Sequence, residues 1–332
     1  MPDVVVAGVD VGGTKTLAVA VDATSPDAGV GQAVVATIRR PTAGGDAAGL
    51  LRSVGDALTA LAAAAGRPVD GFAAVGVGVP GLVDRAAGTV RHAVNLGLGA
   101  TPVALADHLG RLAGGAPVVV DNDVNLAAVG AAVALGCRGD LAYLSVGTGL
   151  AAGLLLGGRI RRGAHGAAGE IGHLPVDPQG PLCECGQRGC LEAVASGAAI
   201  AARWPAGDGA VTAAAALVAA ADGGDPGAVA LLDEVAGHLA GAVALLAQTV
   251  DPEVIVLGGG VADGAAGPGL LAAVRAALHR RATRAPVLAA IDLADRVALV
   301  PEGIPAGAVG AATLARHHLG RDGDLAPLAD PV

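Results

Sequence analysis

At 332 residues and a formal net charge of -9, with 53% hydrophobic and 15% charged residues, the chain is long enough for two domains of roughly 150 residues each. One Trp, one Tyr and one Phe exclude an aromatic platform for nucleic acid, and 21 Lys and Arg against 30 Asp and Glu exclude a basic face for a phosphate backbone. No run reaches the eighteen or so uninterrupted apolar residues of a membrane span, and the opening MPDVVVAGVD lacks a signal peptide's basic segment, so a cytoplasmic protein with neither nucleic acid nor membrane as partner is expected.

Two β-rich runs, Val4 to Val9 and Leu17 to Val21, flank the turn DVGGTK and read as a hairpin with glycines at its tip. A third run near Ala33 to Ile38, an Ala/Leu-rich helix over about Ala47 to Ala65 and the buried strand FAAVGVGVP follow. A second cycle opens with a strand ending near Asp121 and a helix to about Leu135, which Gly136 terminates. LAYLSVGTGLAAGLLLGG then repeats the pattern of the first hairpin, and this echo predicts two related α/β halves. From Arg161 to Gly189 the chain is Gly-rich, polar and irregular, the kind of long loop that carries function. Helical stretches including about Pro226 to Thr249, the strand EVIVLGGGV, a helix near Leu270 to His279, the strand VALVP and a last helix over about Ala306 to His317 complete the chain.

Glycines in DVGGTK let the backbone turn its amide hydrogens onto a phosphate, while Thr14 and Lys15 add a hydroxyl and a charge; an ordinary hairpin turn is the competing reading. The G-x-x-x-x-G-K-[ST] spacing of a P-loop is missing, and GVGVPG fails as a dinucleotide fingerprint because Pro80 and LVD do not open a helix. GTG, Gly147 to Gly149, gains weight by echoing the first turn. In DNDVN two carboxylates sit at the carboxyl end of a buried strand, where α/β sheets bind ligands and where a carboxylate can take a hydroxyl proton. Asp121 or Asn122 can cap the following helix, leaving Asp123 for the ligand.

GEIGH places Glu170 and His173 ten residues ahead of a C-x-C-x4-C cluster. In a reducing compartment such a cluster is poor disulfide material and reads as metal-binding or redox-active, with a trio of unbound thiols or a redox pair as rivals to a metal site, although a redox pair would more naturally be C-x-x-C. Cys183, Cys185 and Cys190 with His173 form a closed tetrahedral Cys3His shell of the structural zinc type; His165 is the alternative fourth ligand, and Cys137 lies too far along the chain.

Together DVGGTK, GVPGLVD, DNDVNLAA, SVGTGLAAG, GEIGH, CECGQRGCLE and VLGGGV resemble, in order and across most of the chain, the ROK family of repressors and sugar kinases. The resemblance implies an α/β, two-domain actin-like ATPase (ribonuclease H-like) fold with an interdomain active-site cleft. It also implies ATP with Mg2+, a structural Zn2+, and transfer of the γ-phosphoryl group to a hexose hydroxyl, usually O6. Carried over by motif, Asp123 is the catalytic base, and Asn95, Asn122, Glu170, His173 and Glu192 contact the sugar. Asp10, Gly12, Gly13, Thr14 and Lys15 form the first phosphate loop, Thr148 and Gly149 the second, and Gly258, Gly259 and Gly260 the nucleotide-side loop. One departure stands out: NLGLGA follows Asn95 with no tryptophan, where many family glucokinases carry Gly-Trp.

The expected domains are 1–116, to which a helix at about 305–320 returns, and 117–304 with the zinc loop. A hexose kinase acting on glucose is the leading expectation, and a homo-oligomer, dimer or tetramer, is the family default. Another hexose (mannose, fructose, N-acetylglucosamine or N-acetylmannosamine) or a catalytically silent sugar-binding regulator are the alternatives. A DNA-binding repressor fits poorly, since the phosphate loop begins at Asp10 and the charge is acidic.

Overall fold

In the computed structural model residues 4–24, 33–206 and 211–320 are described. By contacts the chain divides into two compact α/β units, one comprising 1–138, 157–166 and 303–332, the other 139–156 and 167–302.

The sheet of the first unit runs, in order, Val34–Pro41, Lys15–Asp22, Val5–Val11, Val75–Val79 and Val118–Asn122. Its first three strands pair antiparallel and the last two join in parallel. Because strand side chains alternate faces, Val5, Ala7 and Val9 pack with Leu50, Val54, Leu58 and Leu61 of the helix Ala47–Ala64. Val6 faces the other way, toward Ala308 and Ala312 of the helix Ala306–Leu319. Asp46 caps Ala47–Ala64 by accepting from the Gly49 amide at 2.6 Å. The division after Arg138, rather than at 116, has a simple cause: Val118–Asn122 pairs with Val75–Val79 and completes the first sheet.

The returning helix lies almost on the sheet backbone. A Cβ built on Gly76 would sit 1.9 Å from the Ala311 carbonyl oxygen, and one on Gly8 2.1 Å from that of Ala308. Neither neighbour is a movable side chain, so Gly76→Ala is expected to cost about 3 kcal/mol through overpacking, read as a lowered denaturation midpoint at unchanged slope.

The second unit repeats the plan. Leu150–Leu156 pairs antiparallel with Leu141–Val146, which pairs in parallel with Val254–Gly258, and that with Val297–Leu299. Pro226–Val250, capped by Asp225 and started by a proline at its first turn, packs into this core with Gly267–Ala282 and Ala213–Asp222. Ala47–Ala64 and Pro226–Val250 are long and apolar enough to cross a membrane by length and composition, but 50% of the apolar window of each is buried in protein. Tyr143, on a central strand, and Trp204, packed against the same core, both belong to this second unit.

Candidate functional site

Parallel register aligns three residues across the first sheet: Asp10 is opposite Gly78, and Gly78 opposite Asp121. Gly78 separates the two functional turns, since a Cβ there would lie 3.4 Å from Asp123 Cα and 3.6 Å from Asp10 Oδ1. Beyond Asp10 the chain reverses through Gly12, Gly13 and Thr14, closed by the Gly12 amide donating to the Lys15 carbonyl at 2.9 Å. Gly13 and Thr14 are exposed, and Asp10 and Lys15 half-buried. The Asp10 carboxylate lies against Gly307 in the first turn of Ala306–Leu319, where a Cβ would meet Oδ2 at 2.4 Å. A helix N-terminus favours an anion there.

Asn95 sits in the short 3-10 turn Val94–Leu96, pinned beneath by the fully buried Leu96. A Cβ on Gly13 would approach Asn95 Cβ to 3.3 Å, so the DVGGTK turn and this turn are neighbours. Leu98, where the resemblance led us to look for tryptophan, is 6% exposed and fills the core instead of walling a ligand. Gly97 ends the turn at φ +72, and a Cβ on it would fall 2.5 Å from the Gly45 carbonyl oxygen. Gly97→Ala is therefore expected to push the Asn95 turn off the 44–45 loop. The checkable result is a stability loss of about 1–3 kcal/mol.

At the DND turn the two carboxylates and the amide have different tasks. Asn122 Oδ1 caps the helix Asp123–Leu135, accepting from the amides of Val124 at 3.0 Å and Asn125 at 3.2 Å. Asp121, 1% exposed, is held by Arg85 and Arg162. Asp123 is half-buried in the first turn of the helix, its Oδ1 3.0 Å from the Val124 amide. The expected cap at Asn122 matches this geometry.

In the second unit the Gly147 to Gly149 turn closes through the Gly147 amide and the Gly149 carbonyl at 3.0 Å, and Gly197 donates to the Gly147 carbonyl at 2.7 Å. Gly258, Gly259 and Gly260 stand beside it: a Cβ on Gly147 would lie 3.8 Å from the Gly260 nitrogen. At Gly259 φ is +86 and a Cβ would meet the Val146 backbone at 2.9 Å, so only glycine fits. Glu192 reaches the same turn, Oε2 accepting from the Leu150 amide at 2.8 Å. Glu170 precedes the 3-10 turn Ile171–His173, whose Gly172 packs on the Leu150 carbonyl and lies 3.5 Å from Glu192 Cβ as a Cβ would be placed.

The Cys/His cluster assembles as its spacing predicts. Ligand atoms of His173, Cys183, Cys185 and Cys190 all lie within 4.8 Å of one another. His173 Nδ1 is 3.7 Å from Cys183 Sγ, and Cys185 Sγ 3.6 Å from Cys190 Sγ. Tetrahedral zinc with Zn–S bonds of about 2.3 Å requires edges of about 3.7 Å, so the donor set fits a structural zinc. His165 is not among the four. Hydrogen bonds from Gln187 draw the Cys185 thiol down to about 6, while burial pushes Cys190 up to about 12. Cys190 also faces the His173 carbonyl, and the bridge between Pro175 and Cys190 ties the two ends of the loop.

Thus Asp10 to Lys15, Asn95, Asn122 and Asp123 share the first unit, while Thr148 to Gly149, Gly258 to Gly260, Glu170, His173, Glu192 and the cysteines share the second. Sequence reasoning missed Arg85, Arg162 and Gly307. The only signal for Arg162 was its place inside the irregular Gly-rich segment.

A glucokinase from Streptomyces griseus, solved in complex with glucose and AMPPNP, is structurally similar with a TM-score of 0.74 and 32% identity, covering 94% of this chain and 99% of that one. The glucokinase of Halalkalibacterium halodurans is 36% identical over 199 residues, 58% of this chain and 57% of its own. The xylose repressor of Caldicellulosiruptor bescii is 36% identical over 170 residues, 50% of this chain and 42% of its own. The chain spans about half the length of the curated relatives it matches. Its fold is the two-domain actin-like ATPase fold of the ROK kinases. With residues 6–318 matching the ROK family model, the chain belongs to the ROK family.

Proposed function

We propose that the protein is an ATP-dependent hexose kinase acting on glucose, with Asp123 as general base. What supports this reading is the register row Asp10, Gly78 and Asp121 of the first sheet, with Asp10 Oδ1 and Asp123 Cα 3.6 and 3.4 Å from a Cβ placed on Gly78. Phosphoryl transfer needs alignment, charge neutralisation and a carboxylate at the attacking hydroxyl, with no covalent chemistry from the protein.

Asn95, Asn122, Glu170, His173 and Glu192 bind and orient the sugar, and Asp123 takes the hydroxyl proton as the phosphoryl group arrives. Amides of Gly12, Gly13, Thr148 and Gly149 cradle phosphates, Thr14 and Lys15 supply a hydroxyl and a charge, and Gly258 to Gly260 give the nucleotide close backbone approach. Asp10, a hard oxygen donor, would suit a Mg2+ ion, which when bound with the nucleotide would neutralise phosphate charge. His173 Nδ1 is turned toward the cysteines, and with Cys183, Cys185 and Cys190 it would hold a zinc that would fix the His173 tautomer and leave Nε2 for a sugar hydroxyl. Glucose is chosen because two of the similar proteins are glucokinases. The proposal includes a cytoplasmic homo-oligomer, dimer or tetramer.

Similarity to the xylose repressor favours a second reading, a sugar-binding regulator without turnover. ADP release from Mg-ATP, measured in parallel with glucose, mannose, fructose, N-acetylglucosamine and N-acetylmannosamine, separates the two. Turnover with glucose is the expected result. Turnover centred on another of the sugars keeps the kinase and moves its substrate, whereas sugar binding without ADP release on any of the five establishes the regulator.

A further inference from the structure

Asp121 is buried, yet it is not spare. Oδ1 accepts from the Asn122 amide at 2.8 Å and from Arg162 Nε at 3.3 Å. Oδ2 takes Arg162 Nε at 3.0 Å together with Arg162 Nη2, and Arg85 Nε at 3.2 Å. Both oxygens are therefore committed, and this carboxylate has no lone pair aimed at a substrate proton. A carboxylate at 1% exposure must be paired to be tolerated, and here two guanidiniums share it.

The partners come from separate stretches. Arg85 follows the strand Leu82–Asp84, and Arg162 follows Arg159–Ile160, eight residues ahead of Glu170. What they grip is the Asp121 carboxylate, which in turn accepts from the Asn122 amide and so holds the peptide between Asp121 and Asn122, the last link of the strand before the helix that carries Asp123. Since Asn122 caps that helix through its own side chain, the orientation of one peptide sets both the cap and the direction of the next carboxylate.

We propose that Asp121 is a positioning residue, locked by Arg85 and Arg162 so that Asn122 and Asp123 are presented in one fixed orientation. This rests on the reading of Asp123 as the base. The lock depends on charge and geometry rather than volume: asparagine keeps the shape but turns an amine toward two guanidiniums, leaving them mutually repelling. Small misplacement of a catalytic group costs rate far more than affinity.

The test uses the full chain with Asp121→Asn, Arg162→Gln, the double variant and Asp123→Asn, following kcat and KM for the sugar found to turn over. Asp121→Asn is expected to lower kcat about 10²-fold, with the KM for ATP and sugar close to the parent values, as for an interaction exerted only in the transition state. Arg162→Gln should show the same split, and the double variant should be no slower than the slower single, because both remove one device. Should Asp121→Asn fail to fold, the half-exposed Arg162 decides alone through the same kcat-against-KM split. Parental kcat in the folded variants, or losses that multiply in the double, overturns the lock while an inactive Asp123→Asn leaves the base in place. Turnover surviving in Asp123→Asn removes the base assignment, and the lock falls with it.

Discussion

Asp123→Asn is expected to lower kcat for hexose phosphorylation by about 10²–10⁴-fold, the usual contribution of a general base. The substitution is isosteric and removes the negative charge together with the capacity to take a proton. Asp123 stands in the first turn of its helix, where the N-terminus favours a negative charge, and Asn122, not Asp123, carries the cap. Folding stability should fall by only about 0.3–1 kcal/mol through the lost charge, since the cap remains, and calorimetric sugar binding should stay close to that of the parent. The measurement pairs steady-state turnover with that binding: binding retained and turnover lost places the residue in the chemistry. A matching loss of both would make it a binding residue and reopen the search for the base.

The second large effect is removal of the metal. Cys190 is fully buried, closes the loop against His173 and immediately precedes the helix Leu191–Ala195 that bears Glu192. A single ion in this shell would therefore anchor two of the residues assigned to the sugar. Cys190→Ser, or exhaustive chelation, is expected to abolish stoichiometric zinc, read by elemental analysis of the purified chain. Loss of about 3 kcal/mol, in the range for losing a bound metal, corresponds to a fall in Tm of about 6–12 °C for a unit of this size. Sugar turnover should drop with it, chiefly through KM, since neither ligand touches the transferred group. Full zinc content in Cys190→Ser would remove that cysteine from the shell.

What the sequence made legible was local. Three cysteines within eight residues can hardly avoid one another, and a histidine ten residues away needed only one turn of irregular chain to join them. DVGGTK and GTG announce themselves through glycines whose role is decided by their immediate neighbours. The helix caps at Asp46 and Asn122 are similarly short-range. Non-local register was hidden. Nothing in GVGVP says that Gly78 stands between Asp10 and Asp121, because that alignment is fixed by pairing of three separated strands. The arginines on Asp121 were invisible for the same reason, since RRG in an irregular segment has no periodicity to say where a guanidinium ends. The expected boundary at 116 followed the start of the second α/β cycle, but strand order overrode it: the new strand finished the first sheet before the second began.

The distribution of the rare aromatic residues has a practical optical consequence. Trp204 and Tyr143, the chain's only indole and phenol, both lie in the second unit, and the first contains the lone Phe72. Intrinsic emission and near-ultraviolet dichroism above 270 nm will therefore follow one half of the molecule. Denaturation monitored that way reports the unit with the Cys/His cluster, while the half bearing Asp123 could melt unseen. A far-ultraviolet trace that departs from the fluorescence trace would be the first sign that the two halves unfold separately.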